Sequence, residues 1–256
     1  DKMAAGIIAG HVIECGAQVS GGNFTDWLEV DNLADIGFPI IEAFSDGSFV
    51  VTKHAQTGGL INEMTVKEQL VYEIQDPKRY LTPDVTADFT SVKVRQAGEN
   101  RVHMSGIKGA PPTETYKVSA SYIDGYKLTS TLVYVWPDAL NKAQKGGEII
   151  RQRTKALELA IDDFRVDYVG VNGCSEQPIV EKALHREYDE VQMRIAVSGK
   201  DKEDINRLGK EIVPLILTGP SGVTGYAGGR PSASEIVAYW PALIHKEAVS
   251  PRVRIF

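Results

Sequence analysis

Pro39-Ile40-Ile41-Glu42-Ala43-Phe44, then Asp46-Gly47, then Phe49-Val50-Val51-Thr52-Lys53: two short apolar runs are joined by a turn dipeptide. Asp-Gly between such runs is a strong hairpin signal, because glycine takes the positive φ that a tight inter-strand turn requires. The stretch predicts an antiparallel hairpin over residues 39 to 53. The same grammar recurs along the chain. Residues 84 to 95 and 101 to 107 alternate like paired strands around Gly98-Glu99-Asn100. Residues 115 to 135 read as a second hairpin turning at Asp124-Gly125, with Tyr116, Val118, Ala120 and Tyr122 on one face. Further strands are expected over 166–171, over 189–197 with Val191, Met193, Ile195 and Val197 on one face, and over 234–239.

Helical patterns fall between these runs. Residues 1 to 13 are almost continuously apolar and read most simply as a buried helix, with a strand as the alternative. Thr65-Val66-Lys67-Glu68 has the form of a capping box, predicting a helix over 66–75 that Asp76-Pro77 stops. A long helical pattern runs from Pro137 to Phe164, with a bend expected at Gly146-Gly147, and another spans 202–216 behind Asp201. Hairpins in neighbouring runs, with helices between the runs, favour α+β over a doubly wound parallel sheet. The expected architecture is a hairpin-rich mixed or antiparallel sheet with flanking helices and a C-terminal strand-helix-strand layer. A division into 1–136 and 137–256 follows, although no linker composition marks it and one domain is the alternative.

A chain of 256 residues can bury a sizeable core, and 43% hydrophobic with 24% charged residues is ordinary globular composition. The net charge of −6 offers nothing to nucleic acid or an anionic membrane, so an anionic ligand would need a local basic site. No apolar run approaches the roughly 18 residues of a membrane span and no signal peptide is evident, which suits a cytoplasmic protein. The two cysteines, Cys15 and Cys174, lack metal-ligand spacing and read as small buried apolar groups in a reducing compartment. Both chain ends are apolar and read as cut from something longer.

Four small-residue loops carry polar groups. In Gly219 to Pro231, Gly219, Gly222, Gly225 and Gly228 fall every third residue and Arg230 follows. Glycine costs about 0.5–1 kcal/mol of backbone freedom relative to alanine, so such density needs a reason. One is an amide-lined anion nest formed by Thr224, Gly225, Tyr226, Gly228 and Gly229 with Arg230 as clamp; the other is a set of turns. The loop lacks the Lys-Ser/Thr ending of a P-loop and the dinucleotide Gly-x-Gly-x-x-Gly. In Gly21 to Trp27, Asn23 and Thr25 can donate to a substrate and Asp26 can accept, or these groups close local turns with Trp27 as a core plug. In Lys53 to Gly59, Lys53 can hold an anion, His54 can act as acid or base, and Thr57, Gly58 and Gly59 supply a close-approach loop. The alternative is a solvated strand end. Lys108 and Thr113 belong to a stiff Pro111-Pro112 loop that suits a carboxylate or phosphate equally with a rigid connection. Asp26, Lys53 and His54 are the catalytic candidates. Glu68 reads as occupied by its cap. The five histidines show no metal-ligand spacing and there is no Gly-x-Ser-x-Gly elbow, so neither a metal, a serine nucleophile nor a cofactor is called for.

Together these motifs resemble the acyclic terpene utilisation protein family. The residues that carry the resemblance are Ala9 to Gln18, Gly21 to Trp27, Thr57 to Leu60, Glu68 to Ile74 with Asp76-Pro77, Tyr80 to Val85, Gly109 to Thr113, Ser119 to Gly125, Ser221 to Pro231 and Ala238 to Pro241. Asn62-Glu63-Met64 departs from the small-residue run expected there, and the family's N-terminal segment is not seen. The resemblance implies a catabolic enzyme or enzyme subunit, cytoplasmic or in a eukaryote mitochondrial, that binds a carboxylate or branched acyl-CoA. It does not supply a reaction. The rival reading is a non-catalytic assembly protein forming a homo- or hetero-oligomer, suggested by the apolar ends and Tyr239-Trp240. A homo-oligomer is compatible with both.

Overall fold

The computed structural model describes residues 1–175, 185–225, 229–252, 254 and 255. The fold is α+β, with antiparallel sheets flanked by helices, as the hairpin grammar predicts. The chain divides into two compact units, Asp1–Val118 with Leu243–Phe256, and Ser119–Ala242. Residue 137 lies inside the second.

In the first unit, helix α1 (Lys2–Glu14) is followed by 3-10 turns at Gly16–Ser20, Trp27–Glu29 and Leu33–Asp35. Strands β1 (Pro39–Ala43) and β2 (Phe49–Lys53) form the expected hairpin, with Ile41 opposite Val51. Its turn is closed by Asp46, whose Oδ1 accepts from the Ser48 amide at 2.9 Å, and by Gly47 at φ 89°. Helix α2 (Glu63–Val71) follows, then β3 (Tyr80–Leu81), β4 (Thr86–Asp88), β5 (Lys93–Gly98), β6 (Arg101–Ser105) and β7 (Lys108–Ala110). One antiparallel sheet runs β1-β2-β6-β5 and a small one β3-β4-β7. The core between them and the helices is built from Ile8 and Val12 of α1, Val66 of α2, Phe49, Val51, Val102 and Met104. Each such side chain, fully buried, contributes about 1.5–3 kcal/mol.

The predicted Thr65–Glu68 capping box does not form; a different box sits three residues earlier, and the helix ends at Val71, before Asp76-Pro77. Asn62 is the N-cap, its Oδ1 accepting from the Met64 and Thr65 amides, while Thr65 Oγ1 accepts from the Asn62 amide at 3.0 Å. An asparagine with a threonine three residues on closes the same reciprocal pair as the usual Ser/Thr and Glu, so Glu68 is left for other work.

The second unit holds most of β8 (Thr115–Val135), then α3 (Ala139–Ala156), β9 (Asp163–Val169), β10 (Glu190–Gly199), α4 (Lys202–Ile212), α5 (Leu215–Thr218), β11 (Val223–Thr224) and most of β12 (Ser234–His245). The sheet order is β11-β8-β10-β9, with β12 also paired to β8. The alternating face of β10 is buried at Val191, Met193, Ile195 and Val197, as read from its sequence. Asp201 caps α4, accepting from the Glu203 amide at 2.7 Å.

Two expectations are corrected here. Residues 115–135 form one strand of 21 residues, not a hairpin. Gly125 takes φ 98°, yet the chain continues extended, because a Cβ there would lie 2.7 Å from Gly199 O and Asp124 is drawn to Lys200 Nζ at 2.5 Å. The glycine marks a close backbone approach, not a reversal. Helix α3 ends at Ala156 and passes unbroken through Gly146-Gly147. Those glycines are set by packing: a Cβ on Gly146 would stand 2.4 Å from Tyr134 Oη, and one on Gly147 3.2 Å from Val166 Cγ1.

Candidate functional site

The sequence offers the Thr57–Gly59 loop as a substrate-binding segment. Its backbone is instead spent on neighbouring loops. The Gly58 amide donates to Asp35 O at 2.8 Å, Gly59 to Asp31 O at 2.7 Å and Leu60 to Ser20 O at 2.8 Å, while Gly58 O accepts from the Gly37 amide. A Cβ on Gly58 would come 2.2 Å from Asn32 O, and one on Gly59 2.6 Å from Ser20 O. Both glycines exist so that two loops can touch. Lys53 Nζ donates to Thr57 O at 2.6 Å and Thr57 Oγ1 to His54 O at 2.7 Å. His54 is exposed, with Nδ1 accepting from the Gln56 amide.

The Gly21–Trp27 loop lies against the same region, since Leu60 O is 3.4 Å from a Cβ built on Gly21. Glu68, free of the cap, reaches this loop: its Oε2 accepts from the Thr25 amide at 3.3 Å. Asn23 takes φ 58° and is exposed, as are Thr25 and Asp26. Trp27 is 59% exposed and plugs no core. Lys108 is exposed on β7, its amide donating to Ser91 Oγ, and Thr113 Oγ1 donates to Thr115 O at 2.9 Å.

These residues belong to the first unit; Thr224, Gly225, Gly229 and Arg230 belong to the second. Thr224 pairs opposite Val133 in β11, with Oγ1 donating to Gly225 O at 3.2 Å. Gly229 takes φ 64° and Arg230 is exposed. Tyr226 and Gly228 lie outside the described residues. Among the described residues no cluster of three or more His, Cys, Asp or Glu is arranged to hold a metal, and no helix is long and apolar enough to cross a membrane.

Three features of the first unit went unread in the sequence. An apolar recess of about 440 Å³ is lined by Leu70, Val71, Ile74, Pro77, Phe89, Val92 and Val94, with Lys67 and Thr90 also in its wall. A polar recess of about 480 Å³ is lined by Glu73, Gln75, Asp76, Arg79, Tyr80, Leu81 and Lys117. Segment 73–77 contributes to both, its apolar Ile74 and Pro77 to one and Glu73, Gln75 and Asp76 to the other. That alternation was the available signal.

The third feature is the junction of α1 and α2. His11, buried on α1, donates from Nε2 to Gln69 O at 2.9 Å, and Gln69 Nε2 returns a bond to His11 O at 3.0 Å. The His11 imidazole stands edge-on to Phe89 and Tyr80, with centroids at 5.1 and 6.0 Å. One turn further on, the Cys15 thiol donates to Glu14 Oε1 at 3.0 Å. That bond, helped by burial, raises the thiol above its ordinary pKa, with the Gln69 amide opposing it. Tyr72 is likewise raised, first by the Glu73 charge. Cys15 is half-buried and Cys174 exposed, so neither is the buried apolar group expected.

No similar curated protein and no similar solved structure was found for the chain. Residues 1–255 match the family model described as acyclic terpene utilisation family protein AtuA, and the chain belongs to that family.

Proposed function

We propose that the chain is a catabolic enzyme, or a subunit of one, that binds a branched carboxylate or acyl-CoA in the first unit. Family membership sets the field, acyclic terpene utilisation, and an acyclic terpene skeleton is a branched, largely apolar carbon chain. The single observation that carries the reading is the apolar recess, whose volume of about 440 Å³ suits a small-molecule site. Its aliphatic walls match a branched chain in the one respect that matters, removal of apolar area from water. Lys67 in its wall pairs with Glu63 at 2.9 Å, and an exposed pair of this kind is worth only about 0–1 kcal/mol, so a ligand carboxylate can compete for the cation. The setting proposed is the cytoplasm, or the mitochondrion in a eukaryote, where acyl-CoA esters are processed.

Thermal-shift titration against isovalerate, isovaleryl-CoA and free CoA tests the proposal. A ligand at 100 times its dissociation constant stabilises by about 2.7 kcal/mol. Val71 is exposed at the edge of the recess, so Val71→Trp fills it at little cost to the fold. Stabilisation by the branched ligands that Val71→Trp removes and Arg230→Ala preserves is the expected result. Loss in Arg230→Ala alone would return the site to the glycine-rich loop, and no stabilisation at all would reject the reading.

A second reading, assembly, rests on the exposure of Tyr122 and Ile123 on β8 and Val237, Tyr239 and Trp240 on β12. Exposed apolar residues gathered on two paired strands mark interaction surfaces more often than scattered ones do.

A further inference from the structure

We propose that the apolar recess takes its branched chain as a thioester on the pantetheine arm of CoA, and that the open edge of β5 binds the amides of that arm; this rests on the recess reading above. Strand β5 closes its sheet, paired to β6 on one side and to no strand on the other. In an antiparallel pair, residues alternate between those whose N–H and C=O turn toward the partner strand and those whose groups turn away. Two observations fix the phase of that alternation. The Gln96 amide leaves the sheet to donate to Glu63 Oε1 of α2 at 3.0 Å, so Gln96 turns away from β6. In the first hairpin, the Phe44 amide donates to Ser48 O at 2.9 Å, so Ser48 faces β1. Phe49 then faces Met104 of β6, and His103 faces Arg95 of β5. The register of β5 is regular from Lys93 to Gln96, its shift falling beyond Gln96. Both routes turn the N–H and C=O of Val94 off the edge, toward α2.

That is where the recess lies. Lys67, Leu70 and Val71, one face of α2, line one wall, and Val92 and Val94 line another. Among the described residues no group bonds the outward N–H or C=O of Val94. A backbone group kept from water without a partner costs as much as a lost hydrogen bond, so an occupant of the recess gains by supplying one. A strand edge facing a helix across a groove is also the setting in which a bound chain adds main-chain hydrogen bonds. A free branched acid cannot supply the pair, because its carboxylate only accepts. The β-alanine segment of pantetheine can, since it carries a C=O at one end and an N–H at the other, as one residue of a strand does. The acyl chain then lies among Leu70, Ile74, Pro77 and Phe89, and the arm runs along Val94.

The test measures the affinity of the full chain for isovaleryl-CoA, for the isovaleryl thioester of N-acetylcysteamine, which keeps the amide nearest sulfur, and for S-pentyl thioisovalerate, in which methylenes replace that amide. Val94→Pro removes the outward N–H and no bond to β6, a change that edge strands accept. It should weaken both amide ligands by about tenfold relative to the S-pentyl ester. In the wild type, hydrogen exchange at the Val94 amide should slow with the amide ligands and not with the S-pentyl ester; this readout decides the matter if Val94→Pro fails to fold. An equal response of all three ligands to Val94→Pro, or Val94 exchange indifferent to the amide ligands, overturns the edge contact and leaves the recess reading standing. Binding of the N-acetylcysteamine ester with exclusion of isovaleryl-CoA overturns CoA as the carrier of the arm. Protection of Val94 by a Val-Ala-Val peptide alone overturns the proposal in favour of strand addition by a protein. Binding of none of the three thioesters overturns both readings.

Discussion

Asp167 shows how a single residue can hold an element in place. Its side chain is almost wholly buried on β9, and it accepts from Arg165 Nε at 2.6 Å and from Arg194 Nη2 at 2.7 Å. Burial alone would push this carboxyl up, but the two guanidiniums outweigh it and hold it below the ordinary carboxylate range. A depressed pKa means that the folded state binds the proton less readily than the unfolded chain. The contribution to stability is therefore complete above the unfolded carboxylate pKa and is lost as pH falls through the lowered folded value. Asp167→Asn should cost about 1.5–3 kcal/mol at neutral pH, as expected for hydrogen bonds to charged groups. Denaturant titrations at pH 7 and pH 3 check this, with the gap between wild type and variant narrowing at low pH. Candidate site residues were less legible at this scale than the fold. Thr57-Gly58-Gly59 and Gly21-Gly22 announce close approach, and the structure shows close approach, of loop to loop. Sequence cannot say whether glycine makes room for a ligand or for another backbone. Nor could it reveal that Glu68 was released from its cap by Asn62, or that Gln69 exchanges hydrogen bonds with His11 of α1.

The same ambiguity governs whole elements, and a pair of glycine substitutions separates its two outcomes. Within a helix interior, alanine is favoured over glycine by about 0.8–1 kcal/mol. Gly6 in α1 has nothing within 4 Å of a built Cβ, so Gly6→Ala should stabilise by that amount. Gly146 in α3 has the same propensity gain available, but its Cβ would meet the buried Tyr134 hydroxyl at 2.4 Å and its ring carbon Cζ at 3.0 Å. Gly146→Ala should therefore destabilise by about 1–3 kcal/mol, as overpacking does. Opposite shifts in denaturation midpoint are expected; a gain in both would mean that Tyr134 yields easily. Elements with a local cause were readable: the β1–β2 turn is closed by its own Asp46 and Gly47, and α4 by its own Asp201. Elements whose limits are set at a distance were not. Asp124-Gly125 carries the same letters as the Asp46-Gly47 turn, but Lys200 and Gly199, far along the chain, keep β8 extended. The bend expected in α3 failed for the same reason, since the glycines answer to Tyr134 and Val166.

At the scale of the molecule, the two units carry separate hydrophobic cores, one from residues of 4–107 and the other from 128–215. Each core has a sheet with a covered face, yet β8 and β12 leave large side chains open. Tyr122, Ile123, Val237, Tyr239 and Trp240 are 44–64% exposed, in a chain whose net charge of −6 otherwise favours solubility. In β12, Val237 and Tyr239 share one face and Trp240 stands on the other, so no single fold of the strand against a sheet could hide them all. If a second copy covers this surface, the simplest closed arrangement is a two-fold dimer in which the same residues meet their counterparts. A stable interface needs about 600–1,000 Å² per partner, which several such side chains with their strand neighbours can supply. Sedimentation velocity should then give a mass that is a multiple of 28.0 kDa. Val237→Lys with Trp240→Lys, both on exposed positions, should return the protein to monomer with an unchanged circular dichroism spectrum. A wild-type monomer across the micromolar range would reject the assembly reading, while acyl-CoA binding by the first unit would stand or fall on its own titration.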